Sequence, residues 1–244
     1  MVTIAHFSDI HVDAGERSAT RTARVVEYLA GLTPPPDVVL LTGDIADHGE
    51  EGEYSRVRAL VPFPVLACPG NHDRRGPYRK VMLDEEDSDE PVNRAYESSG
   101  VLILMCDSSI PGRHDGWLSD ETLAWADQRL AEKPGRPAFL AFHHPPVDLG
   151  LAFPDTIRQF GEQRLAALVE RHPQIVALLC GHAHSAAATT FAGRPLLVAP
   201  GVVSTSLLPF EKGGIVDLTG PPMIALHLLD QQHRLTTHYR VVPA

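Results

Sequence analysis

Five short polar segments of this chain carry groups suited to holding divalent metal ions: Asp9-Ile10-His11, Gly43-Asp44, Gly70-Asn71-His72-Asp73, His143-His144-Pro145-Pro146 and Gly181-His182-Ala183-His184. Histidine is abundant throughout, with 13 residues against five tyrosines and two tryptophans. Mixed imidazole and carboxylate ligands suit manganese, iron or zinc, whereas magnesium and calcium favour shells of oxygen alone. Taken singly the segments say little, because an Asp and a His two residues apart arise by accident. A glycine beside compact polar groups is more telling, since the missing Cβ lets backbone approach an ion closely. The chemistry such a set supports is hydrolysis. Two divalent ions about 3.5–4 Å apart bind a phosphoryl group and lower the pKa of a shared water, so that hydroxide forms at neutral pH.

Those segments need a scaffold that delivers them to one place. Apolar runs of four to eight residues alternate with stretches of helical period, the pattern of a layered α/β fold. Thr3–Phe7, Val38–Leu41, Val65–Cys68, Val101–Cys106, Ala138–Phe142 and Ile175–Cys180 read as strands, and Ala19–Leu32, Glu51–Leu60, Asp120–Ala131 and Thr156–Arg171 as helices. Each of the first three strands breaks directly into a polar segment, which puts those side chains at the carboxyl ends of neighbouring strands, where open α/β sheets form their crevice. After Cys180 the runs Thr189–Ala192, Leu196–Ala199, Ile215–Leu218, Ile224–Leu229 and Leu235–Val242 are separated by Gly and Pro turns, so this half is expected to be more antiparallel. No internal repeat or low-complexity linker divides the chain, and residues 1–244 are expected to form one domain.

Composition narrows the function classes. The chain has 244 residues, 43% hydrophobic and 21% charged, and 21 Lys and Arg against 31 Asp and Glu give a formal net charge of −10. So acidic a surface repels long polyanions, and polymeric DNA or RNA is not an expected partner. No stretch approaches the ~18 apolar residues of a membrane span. The amino terminus has no basic stretch followed by a long apolar one, so a cytoplasmic protein is expected. Cys68, Cys106 and Cys180 each lie near the end of an apolar run and read as reduced, packed thiols. The acidic run Asp84-Glu85-Glu86-Asp87-Ser88-Asp89-Glu90 reads as a solvated loop, with a rim that gates substrate as the alternative.

Taken together and in order, the five segments resemble the pattern D-x-H, G-D, G-N-H-[DE], H, G-H-x-H of the calcineurin-like metallophosphoesterase superfamily, matched from Asp9 to His184. The resemblance implies a four-layer α/β/β/α sandwich of two mixed sheets with two divalent ions (manganese, iron or zinc) between the sheet ends. It implies that Asp9, His11 and His184 hold the first ion, that Asn71, His143 and His182 hold the second, and that Asp44 bridges both. His72 would be the catalytic residue beside the substrate phosphate, holding no metal but steadying phosphorane-like charge or protonating the leaving oxygen. The positive charge of two divalent ions exceeds the negative charge of Asp9, Asp44 and a shared hydroxide, so the pocket stays cationic within an acidic protein. Asn71 adds a ligand without adding negative charge.

Departures from relatives narrow the branch. Purple acid phosphatases carry a tyrosine three residues after the bridging Asp, where this chain has Asp47, so a coloured tyrosinate-to-ferric complex is not expected. Protein Ser/Thr phosphatases read G-D-x-V-D-R-G, and His48 stands here in place of the arginine that grips a monoester dianion. The closer resemblance is to class III cyclic nucleotide phosphodiesterases and neighbouring glycerophosphodiesterases, carried by Asp9-x-His11, His143-His144-Pro145-Pro146 and the segment from Asp107 to Gly116. In that branch the last segment forms part of the substrate rim, which makes His114, with Asn71 and His72, a substrate contact; an exposed loop histidine is the alternative.

The implied activity is hydrolysis of a small-molecule phosphodiester, 3′,5′-cyclic AMP or a related cyclic nucleotide first, by a hydroxide bridging the two ions and without a covalent protein intermediate. A broad-specificity or glycerophosphodiester phosphodiesterase or phosphatase is the second reading. A non-catalytic binding module is the third, disfavoured because every ligand position is filled. Several members dimerise, and the loop Gly201–Phe210 could line either the pocket or such an interface, which leaves a homodimer open. Of the remaining polar residues, His144 reads as a supporting or backbone-anchoring group, Asp73 as holding its loop, and Asp107 as a strand-end cap or a support for the site. Arg74 and Arg75 read as surface residues, with contact to substrate beside the phosphate-side loop as the alternative, His6 as structural, and His172, His227, His233 and His238 as surface or sheet residues.

Overall fold

Unbroken apolar runs, whose successive side chains point to opposite faces, give the central strands two buried faces each, and two sheets result. The computed structural model describes residues 1–243. Its first half runs β1 (Val2–Phe7), α1 (Glu16–Ala30), β2 (Val38–Thr42), α2 (Glu51–Leu60), β3 (Leu66–Cys68), α3 (Arg75–Met82), β4 (Arg94–Ser98), β5 (Val101–Met105), β6 (Gly116–Trp117) and α4 (Asp120–Ala131). The second half runs β7 (Ala138–Ala141), β8 (Gln159–Phe160), α5 (Glu162–Arg171), β9 (Ile175–Cys180), β10 (Ala187–Phe191), β11 (Arg194–Val198), β12 (Thr205–Ser206), β13 (Val216–Asp217), β14 (Met223–Leu229) and β15 (Leu235–Val241).

One sheet has the order β15-β14-β1-β2-β3, parallel from β1 to β3 and antiparallel in its last two strands. The other has the order β10-β11-β9-β7-β5-β4, parallel through its four central strands with antiparallel edges. Three apolar layers separate the elements. Ile4, Leu40, Cys68, Ile103, Met105, Phe139, Ala141 and Leu179 fill the space between the sheets. Ala5, Phe7 and Leu41, on the opposite face of their strands, pack with Val25, Leu29 and Val57 of α1 and α2 and Tyr78 of α3. Leu104, Leu140 and Leu178 pack with Ala126, Leu130, Leu165 and Leu168 of α4 and α5. The expected four-layer α/β/β/α sandwich is therefore the observed one. Cys68, Cys106 and Cys180 are buried and unpaired within these layers.

The structure corrects several expected elements. The helix expected from Thr156 begins only at Glu162: Pro154–Ile157 form a single 3-10 turn, and Gln159–Phe160 pair with Gly116–Trp117 as short strands. Gly161, at φ 74°, interrupts any helix running through it. Helix α3 escapes the sequence pattern because Gly76 and Pro77 sit in its first turn, a place where the missing proline N–H costs nothing. The polar strand β4 is missed because it is a sheet edge, and the run Ile215–Leu218 contributes only two strand residues. The carboxyl-terminal half is mostly antiparallel, yet β11 pairs parallel with β9.

One polar chain runs across neighbouring strands of the first sheet. Thr42 Oγ1 is 2.8 Å from His6 Nε2, His6 Nδ1 is 3.1 Å from His227 Nε2, and His227 Nδ1 is 2.8 Å from Thr237 Oγ1. Every link has a partner, which is what burial of such groups requires. Burial pushes both imidazoles down, that of His227 to about 3, and proximity to His227 lowers His6 further. Both rings are thus neutral in the folded chain but take up protons below about 6.5 once unfolded. Their contribution to stability is intact above that pH and is lost as pH falls towards about 3. We expect the ring signals of His6 and His227 in NMR spectra not to titrate between about pH 7 and pH 5; titration of either near its ordinary midpoint would contradict this arrangement.

Candidate metal centre

The polar segments meet where the two sheets present their carboxyl ends. Asp9 and His11 follow β1, Asp44 follows β2, Asn71 and His72 follow β3, His143 follows β7, and His182 and His184 follow β9. The loops are tied together through their backbones: Asp9 N donates to Gly43 O, His11 N to Asp44 O, and Gly181 N to His143 O. Asp73 fastens a further pair of loops. Its carboxylate accepts from the backbone N–H groups of Ile45, Ala46 and Gly70 and from the Tyr54 hydroxyl, so it does hold the loop.

Five of these side chains hang from unusual backbone. Asp9, His11, Asp44, His182 and His184 have φ between 38° and 65°, a left-handed region that costs non-glycine residues free energy and clusters at functional sites. Two glycines give them room. A Cβ on Gly43 would lie 2.4 Å from His143 Nδ1, and one on Gly70 would lie 2.2 Å from Asp44 Oδ1.

Two groups of donors result. Asp9, His11, Asp44 and His184 present ligand atoms within 4.8 Å of one another, and so do His143, His144 and His182. Asn71 joins the second group, with Oδ1 3.2 Å from His143 Nε2 and 3.1 Å from His182 Nδ1. Asp44 Oδ2 stands between them, 3.4 Å from His11 Nε2 and 3.4 Å from His143 Nε2, while Asp44 Oδ1 accepts from the backbone of His72 at 2.9 Å. His184 Nε2 lies 3.4 Å from Asp9 Oδ1. All seven residues expected as ligands are thus brought together.

The hydrogen bonds behind the imidazoles define what faces inward. His143 Nδ1 donates to the Thr42 carbonyl at 2.7 Å, and His11 Nδ1 donates to the Asp47 carboxylate at 2.9 Å. In the neutral rings Nε2 therefore turns a lone pair inward. His11 Nε2 and His184 Nε2 are 3.2 Å apart, and His143 Nε2 and His182 Nδ1 are 3.3 Å apart. Lone pairs and carboxylate oxygens at these separations repel one another unless a proton or a metal cation stands among them. His182 Nε2 is buried with no hydrogen-bond partner, which leaves that ring without another anchor. The donor set therefore fits two borderline divalent cations.

The charge balance carries the same message. Burial pushes Asp9 up to about 6. Burial acts on Asp44 in the same direction, but the neighbouring His143 charge outweighs it and holds this carboxyl well below its usual range. Burial would lower His143, yet Asp44 raises it to about 9. Burial and then His143 keep His182 well below its usual value, and burial and then His11 bring His184 to about 3. Without metal, positive charge on His143, and on His11, where the Asp47 hydrogen bond and the neighbouring carboxylates outweigh the lowering effect of burial, answers the carboxylates, while His182 and His184 stay neutral.

Orienting residues form the part that sequence reasoning missed. Asp47, considered only as the position of an absent tyrosine, aligns His11; Ser204 Oγ lies 2.7 Å from His184 Nδ1; the Thr42 carbonyl aligns His143. Such partners fix ring orientation and ligand basicity. His144 has both nitrogens engaged, Nδ1 with Ser108 Oγ at 2.8 Å and Nε2 with the His114 carbonyl at 3.2 Å. Arg75, expected at the surface, is instead largely covered: it pairs with buried Asp107 at 2.8 Å and donates to the carbonyls of Asp89 and Ser109. Asp107 also accepts from Val92 and Ser109 and so fixes the start of the rim segment. Arg74 does remain half exposed, bound to Glu50.

His72 stands at the open edge of the cluster. Its Nδ1 donates to the Asp47 carbonyl at 2.8 Å, and its ring meets that of His11 edge-on, with centroids 4.5 Å apart. Nε2 is left for a ligand. A cavity of about 570 Å³ beside it is lined by Asn71, His72, Arg113, His114, Asp87 and Asp89, which puts part of the acidic run at its rim. The exposed His114 ring is 6.3 Å from that of His72 by centroids. His48 is 65% exposed and hydrogen-bonds Glu53, so no fixed cation occupies the position of the phosphatase arginine.

Comparison with known proteins agrees with this geometry. Residues 2–186 match the calcineurin-like phosphoesterase family. The chain is 35% identical over 225 residues to a probable cyclic nucleotide phosphodiesterase of Rhodococcus erythropolis, covering 86% of this chain and 74% of the relative. It is 33% identical over 225 residues to a cAMP/cGMP dual specificity phosphodiesterase of Mycobacterium tuberculosis (86% and 70% covered), and 33% identical over 214 residues to the glycerophosphodiester phosphodiesterase GpdQ of Enterobacter lignolyticus (82% and 77% covered). In fold it is similar to a dimetal phosphatase from Danio rerio, with a TM-score of 0.73 at 15% identity over 99% of this chain and 96% of that one.

Metal uptake should displace the His143 proton. We expect calorimetric titration with manganese at pH 7.5, in buffers of different ionisation enthalpy, to report proton release, and affinity to rise with pH up to about 9. Uptake without proton release would contradict the charge balance. Asp44→Ala should bind fewer ions by elemental analysis, and retention of both would remove Asp44 from between them.

Proposed function

The chain belongs to the calcineurin-like phosphoesterase family, and on that premise we propose that it hydrolyses 3′,5′-cyclic nucleotides, cyclic AMP foremost, using two divalent metal ions. It is a metal-dependent phosphodiester hydrolase. The observation that carries the proposal is the position of Asp44 Oδ2, equally far from His11 and His143 and thus between two groups of inward-facing donors. Asp9, His11 and His184 would hold one ion, Asn71, His143 and His182 the other, and Asp44 both. Such ions, when bound, neutralise phosphoryl oxygens and acidify a water. Manganese, iron or zinc suits the imidazole content.

The chain's own residues account for the rest. Asn71 and His72 border the space where a phosphoryl group would sit, and His114 faces the same cavity. With Nδ1–H committed to the Asp47 carbonyl, a second proton on His72 can reside only at Nε2. That proton is the one available to the departing alkoxide, so His72 acts as hydrogen-bond donor and general acid. Asp9 and Asp44 are buried carboxylates, and their burial requires positive charge beside them, which two divalent ions would supply.

Several relatives support the cyclic nucleotide assignment, and the exposed His48 argues against a monoester dianion as main substrate. The likeness to the glycerophosphodiester phosphodiesterase favours a second reading, a linear glycerophosphodiester as substrate. Three unpaired buried cysteines suit a cytoplasmic location, and among the described residues no helix is long and apolar enough to cross a membrane. A homodimer is compatible with this reading.

The manganese-reconstituted protein should turn over cyclic AMP with higher kcat/KM than glycerophosphodiesters or monoesters, measured on a substrate panel. Equal or better turnover of a glycerophosphodiester would replace the first assignment by the second. His72→Ala should lower kcat by about 10²–10⁴-fold with metal content unchanged; loss of metal in that variant would make His72 a ligand instead.

A further inference from the structure

A second, smaller cavity opens from the same ligands on the other side. It has a volume of about 150 Å³, its floor is His11, Asp44, His182 and His184, and it shares Asn71 and His72 with the wide cavity. Its walls differ sharply from those of its neighbour. Phe153, Pro154, Ile157, Ile215 and Val216 complete the lining with Ser204 and Ser206, and apart from the candidate ligands and His72 no charged side chain lines it. The wide cavity is lined by Arg74, Arg113, Asp87 and Asp89.

The apolar wall is exposed, and at two places heavily so: Phe153 and Ile215 are each 56% accessible, and Val216 is 40% accessible. Three large apolar side chains standing in water around one polar floor gain from a ligand that covers them. A cavity of this size with apolar lining accommodates a benzene-sized group. The wall is built into the site. Ser204 aligns His184, and the hairpin that begins beside it, β12 to β13, carries Ile215 and Val216 back over the cluster, closed by a hydrogen bond from Leu207 N to Ile215 O.

We propose that Phe153, Ile157, Ile215 and Val216 form a specificity subsite that receives a flat aromatic ring carried by the substrate's ester substituent, an aryl group or a nucleobase presenting its ring face, when the phosphoryl group lies at Asn71 and His72. This rests on the phosphodiesterase reading and sharpens it, because a glycerol substituent gains nothing from an apolar wall. The shared floor explains how one phosphate position can serve two unlike neighbours: apolar groups fall to the hairpin side and hydrated ones to the charged side.

The test holds the leaving group constant and varies the spectator group. Bis(4-nitrophenyl) phosphate and methyl 4-nitrophenyl phosphate both release 4-nitrophenol, but only the first has a second aryl ring. In manganese-loaded Phe153→Ser/Ile215→Ser, kcat/KM for the bis-aryl ester should fall about ten-fold while that for the methyl ester stays within about two-fold. Calorimetry should show diphenyl phosphate binding about ten-fold more weakly to the variant, with dimethyl phosphate unchanged. Phe210→Ser, which alters a side chain 82% exposed and outside the cavity, should move none of these. An equal loss for both esters, or no loss, overturns the subsite while leaving the hydrolase reading intact. Failure of the wild-type metal-loaded protein to hydrolyse either ester would instead overturn that reading.

Discussion

The mutual repulsion of buried electron pairs is the constraint on which the rest of the structure depends. Asp9 and Asp44 are almost wholly buried, and the imidazoles of His11, His143 and His184 turn a ring nitrogen towards them, while that of His182 meets His143 and Asn71. A carboxylate in so dry a place is tolerated only beside compensating positive charge. In the metal-free chain His143 and His11, both raised by these carboxylates against the effect of burial, meet part of that demand. Asp44, with one oxygen between the two groups and the other on the backbone of His72, links charge neutralisation directly to the residue proposed to meet substrate.

The fold supplies the force that keeps such a cluster assembled. Left-handed backbone at five of the seven candidate ligands costs about 1–3 kcal/mol each, and such strain persists only where the surroundings over-determine it. The surroundings here are three apolar layers, with parallel strands that end side by side and release their loops into one crevice. Asp73, Asp47, Ser204 and the Thr42 carbonyl then fix what the strands only bring near. The four-layer order and the metal cluster are consequently one feature, since the cluster needs strand ends from both sheets: Asp9, Asp44 and Asn71 from one, His143, His182 and His184 from the other.

Much of this was legible in the chain because strong signals coincide. The apolar runs at Thr3–Phe7, Val38–Leu41 and Ala138–Phe142 are short, dense and followed at once by ligand-type residues, so strand and site announce each other. The seven candidate ligands could be named because the five segments, in order, resemble the metallophosphoesterase pattern, and they lie within reach of one another. What escaped was whatever depends on tertiary partners. Nothing local distinguishes Asp47 from a surface acid until His11 folds against it, and Arg75 looks solvent-facing until Asp107 is brought beneath it. The helix expected over Thr156–Arg171 is cut at Gly161 by a left-handed φ that only the folded backbone reveals, and the run Ile215–Leu218, expected as a strand, is largely exposed, with Ile215 and Val216 lining the site.

The most direct test of the account is a crystal grown with excess manganese and measured at the manganese absorption edge. The account predicts two anomalous peaks, one among Asp9, His11 and His184, the other among Asn71, His143 and His182, with the Asp44 carboxylate between them. A single peak, or none with those side chains still converging, would contradict it.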